Sequence, residues 1–397
     1  MLSRFHSLSS LLTEHQRIWK TPVFQIRDFS YLAEYETTVQ ALLSLSDAEV
    51  ERLQSDDLAL LARLEQVFPD AQKVSECIHF PMIELKRKTA PPKFWNIDIP
   101  GRKEEQILAF TEALGDIKDP LVEWCCGKQH LGRLLAELHQ QHTIGLDIDV
   151  GLITQARQLA EKRQLQQWLS SECCDVLSEQ AEIHVDASKH LIALHACGGL
   201  HTRLVQTAVK KRAARISYSP CCYHRFLNSV TYQPMSETGR QSGLCFSQEE
   251  LRLAVRETQT ASKGESRKRK NLQIWRLGFD ELQSDLLNTD QYLPIPPVSP
   301  KILQSGFESF CKYVASLKSV SLKAGINYSD YLEQGRQRFH RYQCIELFRM
   351  VFRRALECWL VLDTALFLEE QGYRCEIAQF CMPEISPRNL LVQARIA

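Results

Sequence analysis

Two apolar segments of the sequence each stop at side chains that could do chemistry. The first, "IALHACGGL" (192–200), contains Cys197, and the second, "ISYSPCCYHRF" (216–226), ends in a longer set. That set is Pro220, Cys221, Cys222, Tyr223, His224 and Arg225. A thiolate can attack carbon, an imidazole can take up a proton and an aromatic ring can stack on a base. Whether these residues act together depends on whether the fold joins the two segment ends.

Strand-like and helix-like segments alternate along the chain from about residue 104. The five predicted strands are "PLVEWCC", "HTIGLDI", "SECCDVL", "HLIALHAC" and "ARISYSPC", and a hairpin-like pair, "GYRCEIAQFCM" and "NLLVQARIA", closes the chain. This order predicts an α/β fold with a doubly wound, Rossmann-like seven-stranded sheet of the class I methyltransferase type. Ligands of such sheets bind at the carboxyl ends of the parallel strands. The fourth and fifth strand ends are therefore expected to face one site.

Helical patterns account for most of the remaining chain. We expect a helical N-terminal region at residues 1–95 and a methyltransferase domain at residues 96–397, which carries a helical and basic insertion at about 230–345. In this insertion, Ser247 and Glu250 form a capping box that starts a helix, and a basic loop is expected to follow it.

A long apolar stripe at helical spacing precedes the final hairpin. The stripe comprises Phe339, Tyr342, Ile345, Phe348, Phe352, Ala355, Trp359 and Leu362. Such a stripe predicts core packing rather than a cofactor site. Arg349, Arg353 and Arg354 lie largely off it and are expected to face solvent or phosphate.

Three successive strand ends carry a glycine turn or an acid, as a nucleotide-like cofactor requires. "VEWCCGKQHLG" (122–132) follows the first strand, but of the usual glycine positions only Gly127 is glycine. Asp147 ends the second strand, where a carboxylate can accept hydrogen bonds from both ribose hydroxyls, and Asp149 is the alternative to it unless it caps the next helix. Asp175 follows the third strand, where it could receive an adenine amino group. The sequence therefore predicts S-adenosylmethionine (SAM) as cofactor.

Three acceptor chemistries remain open at the fourth and fifth strand ends. Methylation of a base amino group could use main-chain carbonyls and an aromatic platform from Pro220 to Tyr223. A ribose 2′-hydroxyl could use His224 and Arg225 for proton removal or positioning. Methylation of a pyrimidine carbon needs a thiolate nucleophile such as Cys197, Cys221 or Cys222, although buried cysteines often only pack as small apolar groups. No metal is expected, although Cys221 and His224 could be ligands.

Charge and cysteine content limit the partners and the compartment. The net charge is zero, but residues 31–70 hold nine acidic against two basic residues, and residues 201–280 hold fifteen basic against six acidic ones. The densest basic stretch, residues 262–276, predicts a polyanionic partner that contacts Arg267, Lys268, Arg269 and Lys270. The fourteen cysteines include no C-x-x-C pair, which favours free thiols in a reducing cytoplasm over a disulfide framework or a zinc ribbon. No apolar run has the length of a membrane span.

These motifs resemble a methyltransferase-like family that includes the glutathione-S-transferase-C-terminal-domain-containing proteins, and more distantly the tRNA position-four 2′-O-methyltransferases. The resemblance rests on "IPGRKEEQI", "VEWCCGKQHLG", "ALHACGGL", "SPCCYHRF", "YQPMS" and "ISPRNLLV". Cys125 and His195, which lie within two of these motifs, are also expected to contact the cofactor. The resemblance implies cofactor contacts from Glu123, Gly127, Asp147 and Asp175, with Gln106 near the methionine end of the cofactor. It also implies an acceptor site lined by Cys197, Gly198, Pro220, Cys221, Cys222 and Tyr223. In the tRNA enzymes a second histidine usually stands in place of Tyr223.

The sequence thus predicts a SAM-dependent methyltransferase that acts on a base or ribose of RNA, either tRNA or rRNA. Arg225 and the basic stretch would contact the substrate. Two other hypotheses stay open: a protein or small-molecule methyltransferase, and a catalytically inactive module that binds SAM or RNA. The oligomeric state does not follow from the sequence.

Overall fold

All seven strands of the protein's computed structural model belong to one mixed sheet. The structure describes residues 1–84, 90–226, 229–256 and 263–397 (for Lys263 and Pro300, the backbone alone). The strand order is β3-β2-β1-β4-β5-β7-β6. The strands are β1 (Leu121–Trp124), β2 (Thr143–Asp147), β3 (Leu169–Cys173), β4 (His190–Cys197), β5 (Arg215–Cys221), β6 (Tyr373–Gln379) and β7 (Leu390–Ile396). Strands β1 to β5 run parallel, and β7 is antiparallel to both β5 and β6. The predicted Rossmann-like methyltransferase sheet is confirmed.

Helices flank the sheet and fill the regions before β1 and between β5 and β6. They are α1 (Leu2–Glu14), α2 (Gln16–Lys20), α3 (Glu36–Leu43), α4 (Asp47–Gln54), α5 (Asp57–Leu64), α6 (Ala71–Ile78), α7 (Gly101–Leu114), α8 (His130–His139), α9 (Val150–Lys162), α10 (Gly199–Lys211), α11 (Glu237–Gln241), α12 (Gln248–Ala254), α13 (Lys263–Leu287), α14 (Pro300–Gln304), α15 (Phe307–Lys318), α16 (Tyr328–Met350) and α17 (Arg353–Glu370). The described residues also form two 3₁₀ helices, Ser30–Tyr35 and Glu179–His184. Within the described ranges, no helix combines the length and apolarity that crossing a membrane requires.

The chain divides into two compact units, each built from segments that are separated in the sequence. The sheet unit comprises Met1–Glu14, Glu76–Arg256 and Arg353–Ala397, and the helical unit comprises His15–Ser75 and Glu257–Phe352. Of the 230–345 segment, residues 230–256 therefore fall in the sheet unit and residues 257–345 in the helical unit. The division into regions 1–95 and 96–397 stays a prediction.

The sheet unit is held together by apolar residues on both faces of the sheet. On one face, Phe110 of α7 packs edge-on against Phe380, with ring centroids 5.6 Å apart, beside the buried Leu134 of α8. Trp359 of α17 is fully buried, packs on Phe5 of α1 and donates a hydrogen bond to Ser9 at 2.9 Å. Burial of such large side chains fixes the helices that flank the strand ends.

The basic stretch of the helical unit is a helix, not the predicted loop. Residue 262 lies outside the described residues, and residues 263–276 begin α13, which packs along α16. Lysine, arginine, glutamate and glutamine are good helix formers, so charge alone does not break a helix. The missed signal is the apolar series Leu272, Trp275, Phe279, Leu282 and Leu286, which recurs at helical spacing and packs in one core cluster.

The apolar stripe before the final hairpin is buried as predicted, but it is divided between two helices, α16 and α17, with Phe352 in the turn between them. All eight of its residues are under 10 % exposed. The expectation for two of the three arginines is wrong. Arg349 donates to the Trp19 carbonyl at 2.8 Å, and Arg354 pairs with Glu357 at 2.5 Å, so neither guanidinium faces open solvent. Arg353 also bonds internally, to the Arg256 carbonyl at 3.2 Å. Long arginine side chains can cross a helix surface to reach buried carbonyls, which the helical pattern alone does not reveal.

Candidate active site

The turn after β1 has the backbone conformation of a glycine-rich cofactor turn, although only one of its three special positions is glycine. Cys125, Gly127 and Gln129 all have positive φ, at 57°, 56° and 54°. Positive φ is disfavoured for residues with a Cβ, typically by about 1 kcal/mol or more. A Cβ added at Gly127 would meet no atom within 4 Å, so this backbone faces open space. A ligand can therefore approach the backbone of this turn closely at Gly127.

Gln129 is accommodated by glycine on the neighbouring strand and by hydrogen bonds. Its side chain is fully buried, donates from Nε2 to the Ser170 carbonyl at 3.0 Å and accepts from the Ser171 hydroxyl at 2.6 Å. A Cβ at Gly145 of β2 would lie 2.5 Å from the Gln129 amide, which leaves no space for any other residue there. Gly145 inside the strand "TIGLD" was the sequence signal for this close approach, and sequence reasoning missed it.

Asp147 joins the end of β2 to the turn after β1. Its Oδ2 accepts from the Gly127 amide at 2.8 Å and its Oδ1 from the Asp149 amide at 3.0 Å. Asp149 instead caps α9, because its Oδ1 accepts from the Leu152 amide at 3.0 Å. An ionised carboxylate has about four acceptor positions, so Asp147 keeps capacity for two ribose hydroxyls. The structure thus separates the roles of the two acids.

Asp175 lies after β3 in an exposed turn. Its Oδ1 accepts from the Leu177 amide at 2.9 Å, and its side chain is exposed. Because the side chain is exposed and this bond uses only one acceptor position, the carboxylate remains available to an amino group at that edge of the sheet.

Glu123 is a buried carboxyl beneath the same turn. It is 5 % exposed, and its Oε2 accepts from the Gly132 amide at 3.0 Å. Burial raises the pKa of this carboxyl to about 8, because the charged form loses its hydration. This hydrogen bond links the start of α8 to β1, and the Glu123 carboxyl is too buried to contact a ligand in this position.

Gln106 and His195 join α7 to the end of β4. Gln106 donates from Nε2 to the Ile385 carbonyl at 2.9 Å, and its Oε1 lies 3.0 Å from His195 Nε2, which must carry the proton in this arrangement. Burial lowers the pKa of His195 to about 4, so the ring is neutral at pH 7. His195 itself has a φ of 64°, at an irregularity in the pairing of β4 with β5.

The three cysteines at the ends of β4 and β5 form one cluster. The sulfur atoms of Cys197 and Cys221 are 3.1 Å apart, and the three Sγ atoms, with Cys222, all lie within 4.8 Å of one another. Hydrogen bonds from the two neighbouring thiols, followed by the charges of Arg225 and Arg388, lower the pKa of Cys222. Hydrogen bonding with Cys197 and Cys222, followed by burial, raises the pKa of Cys221. The structure therefore brings together the segment ends that the sequence singled out.

Tyr223 and Pro220 are buried in the core behind this cluster. Tyr223 is 2 % exposed, and its hydroxyl donates to Glu357 at 3.1 Å, beside Arg354 of the same helix. Stacking of Tyr223 on a base would require the ring to leave this position. The partner Glu357 is 134 residues away in sequence, so no local pattern could have predicted this burial.

The remaining two predicted residues lie in the loop after β5. His224 is half-buried, and its Nδ1 has no hydrogen-bond partner among the described residues. Arg225 has an exposed side chain, while its carbonyl accepts from the Gly199 amide at 2.9 Å. A Cβ at Gly198, whose φ is 52°, would lie 2.2 Å from that carbonyl oxygen. Gly198 is thus required for the close approach of the two loops.

The predicted substrate-binding cations of α13 belong to the helical unit. Arg267, Lys268 and Arg269 are exposed. Lys270 is half-buried and lies 3.5 Å from Asp47 and 3.4 Å from Glu51. Part of the acidic charge of residues 31–70 therefore neutralises Lys270 within the basic stretch.

Residues 103–229 match a family described as "Methyltransferase domain". A comparison of the sequence with curated proteins gives no match. A geranyl diphosphate C-methyltransferase from Streptomyces coelicolor A3(2) is 15% identical, with 39% of this chain and 65% of that chain covered and a TM-score of 0.28. A Pyrococcus abyssi tRNA (uracil-54, C5)-methyltransferase is 18% identical over 30% of this chain and 29% of that chain (TM-score 0.25). An RNA methyltransferase from Salinibacter ruber is 14% identical, with 34% of this chain and 86% of that chain covered and a TM-score of 0.27. The chain spans between 46% and 65% of the geranyl diphosphate methyltransferases that it matches.

Proposed function

We propose that the protein is a SAM-dependent methyltransferase whose acceptor is RNA, on the basis of residues 103–229, which match a methyltransferase domain. One observation carries the choice of RNA: Arg267, Lys268 and Arg269 are three consecutive exposed cations on α13. Successive residues of a helix point about 100° apart, so the three cations cover a wide arc of the helix surface. An arc of this kind suits a polyanion that can contact the helix from several sides.

The described residues fit the cofactor at the ends of β1, β2 and β3. Gly127 offers open backbone, Asp147 keeps acceptor capacity, and Asp175 is exposed at the adjacent edge. When bound, SAM supplies an electrophilic methyl group. The protein then has to exclude water and hold the acceptor atom in line with that group, which depends mainly on positioning.

The turn geometry argues against the inactive-module hypothesis. Cys125 and Gln129 keep positive φ despite the conformational cost, and buried hydrogen bonds hold Gln129 in place. A domain without a ligand has no need of a strained turn with an open face. Cofactor binding therefore remains part of the proposed function.

For the finer assignment, tRNA is the first substrate to test, because the sequence resembles the tRNA position-four enzymes as well as the animal methyltransferase-like proteins. Base and ribose acceptors both stay within the proposal. A cytoplasmic location belongs to it too, since fourteen free thiols fit a reducing compartment. The other hypotheses, a protein or small-molecule acceptor, predict no role for the exposed cations of α13.

Charge reversal tests the proposed RNA interface. We expect the triple variant R267E/K268E/R269E to bind tRNA more weakly, with a log–log salt slope reduced by about 0.7 to 0.9 for each phosphate that the helix no longer neutralises. The matched control is K301E/K312E/K323E, which changes the net charge equally at three other exposed lysines of the helical unit. SAM binding should be unchanged in both variants. Equal effects of the two triple variants on tRNA binding, or no effect of either, would contradict the proposed interface.

A further inference from the structure

Three thiols converge at the edge of the sheet that the acceptor would occupy. Cys197 ends β4, Cys221 ends β5 and Cys222 follows it, and their sulfur atoms lie within 4.8 Å of one another. Among the described residues, no further His, Cys, Asp or Glu side chain joins this cluster. The His195 carbonyl accepts from the sulfur atoms of Cys197 and Cys221, at 3.6 and 3.3 Å. Three sulfur atoms this close together suit a common ligand better than they suit ordinary apolar packing.

Two local departures from regular strand structure produce the convergence. The pairing of β4 with β5 shifts between Leu194 and Ala196, so that Cys197 lies directly opposite Cys221. Neighbouring residues of a strand point to opposite faces, so Cys221 and Cys222 would normally diverge. Cys222 instead has a φ of 46°, which ends the strand and turns its sulfur toward the other two. Unusual backbone at a strand end is typical of a functional site.

The cluster has nearly the dimensions of a thiolate metal site. Zinc–sulfur bonds of about 2.3 Å in tetrahedral geometry place the sulfur atoms about 3.8 Å apart. The Cys197–Cys221 separation of 3.1 Å is somewhat shorter than that, and the upper limit of 4.8 Å for the cluster is somewhat longer. Side-chain adjustments of less than about 1 Å would therefore suffice to form the three bonds.

The charges around the cluster also suit a divalent cation. Three thiolates and one Zn²⁺ leave a net charge of about −1, and the guanidinium groups of Arg225 and Arg388 act on this edge electrostatically. Thiolates select soft and borderline metals, and a four-coordinate geometry favours Zn²⁺ over magnesium or calcium.

We propose that Cys197, Cys221 and Cys222 bind one Zn²⁺ ion, with the fourth coordination position open at the carboxyl ends of β4 and β5. Binding replaces the three thiol S–H bonds by three S–Zn bonds and releases the protons to solvent. The sequence-based expectation of no metal is revised accordingly. Three protein ligands with one open position are the arrangement of catalytic rather than structural zinc. An ion there would polarise an acceptor oxygen or nitrogen, and it would leave no free thiolate to attack a pyrimidine carbon.

Metal analysis of the full-length protein tests this site without any RNA. The protein is purified under reducing conditions, supplemented with zinc and dialysed, and its zinc is then measured by mass spectrometry. We expect one zinc per chain, and X-ray absorption should show about three sulfur atoms at about 2.3 Å with one lighter neighbour. Each of C197S, C221S and C222S should lose zinc to a chelator at least tenfold more readily. The control C245S changes an exposed cysteine of the sheet unit and should retain the ion.

The absorption spectrum of the unsubstituted protein keeps the test informative even if a serine variant fails to fold. A reduced protein that retains no zinc would overturn the proposal, as would a spectrum dominated by nitrogen and oxygen ligands. A Cys197–Cys221 disulfide in protein that binds no zinc once reduced would also overturn it. The proposal concerns the acceptor edge of the proposed methyltransferase, but a failure of RNA binding would leave the zinc result unaffected. The two ideas can therefore fail separately.

Discussion

Replacing Gly145 tests whether Gln129 takes the place of a turn glycine by packing over β2. In G145A the new methyl group would lie 2.5 Å from the Gln129 amide and 2.8 Å from the Cys126 sulfur. The Gln129 side chain would then have to move, which breaks its bonds to Ser170 and Ser171. Each buried polar group left without a partner costs about 1 to 3 kcal/mol, so G145A should lower the free energy of unfolding by about 3 kcal/mol.

The second variant, Q129G, makes the prediction specific. Alone it loses the same two hydrogen bonds but gains about 1 kcal/mol from glycine at a positive φ, so the net loss should be about 2 kcal/mol. If the two sites were independent, G145A/Q129G would lose about 5 kcal/mol. Because the main clash needs both side chains, we expect the double variant to lose only about 2 kcal/mol. It should therefore be more stable than G145A alone.

Urea unfolding of the four proteins gives the coupling energy, and calorimetry with SAM shows whether the turn survives. We expect SAM affinity to fall in G145A and to recover at least partly in the double variant. Additive losses, with the double variant less stable than G145A, would refute the idea that Gly145 exists to make room for Gln129.

Three further predictions follow from single residues of the site. D147N should weaken SAM binding at least tenfold in calorimetry, because charge-assisted hydrogen bonds contribute about 1.5 to 3 kcal/mol; an unchanged affinity would mean that the ribose binds elsewhere. Burial raises the pKa of Glu123 from 4.5 to about 8, so its proton stabilises the fold at low pH and this stability is lost as pH rises through that window. Between pH 5 and 8, the free energy of unfolding should therefore fall by about 3 kcal/mol less in E123Q than in the unsubstituted protein. An equal fall in the two proteins would refute the raised pKa of Glu123. G198A should disrupt the packing against the Arg225 carbonyl and abolish methyl transfer. The control G243A changes another glycine of positive φ, but one in open space, and should lower the free energy of unfolding by only about 1 kcal/mol. Equal melting temperatures for the two variants would contradict this prediction.

The architecture of the sheet could be predicted because it depends on local patterns. Apolar runs alternating with helical periods were enough to order β1 to β5, and the late hairpin gave β6 and β7. The meeting of Cys197 with Cys221 and Cys222 followed from the rule that parallel strands share their carboxyl edge.

The remaining details depend on tertiary contacts. The positive φ of Cys222 and the shifted pairing near His195 are imposed by neighbouring strands and leave no local signature. The burial of Tyr223 depends on Glu357, far along the chain. The first turns of α13 were mistaken for a loop because their charge was given more weight than their helix propensity.

The most direct test of the central claim is nucleoside mass spectrometry of RNA from cells with and without this gene. We predict that one methylated nucleoside disappears from tRNA or rRNA, that the unchanged gene restores it, and that the D147N variant does not. An unchanged set of methylated nucleosides, together with clear SAM binding by the purified protein, would contradict RNA as the acceptor.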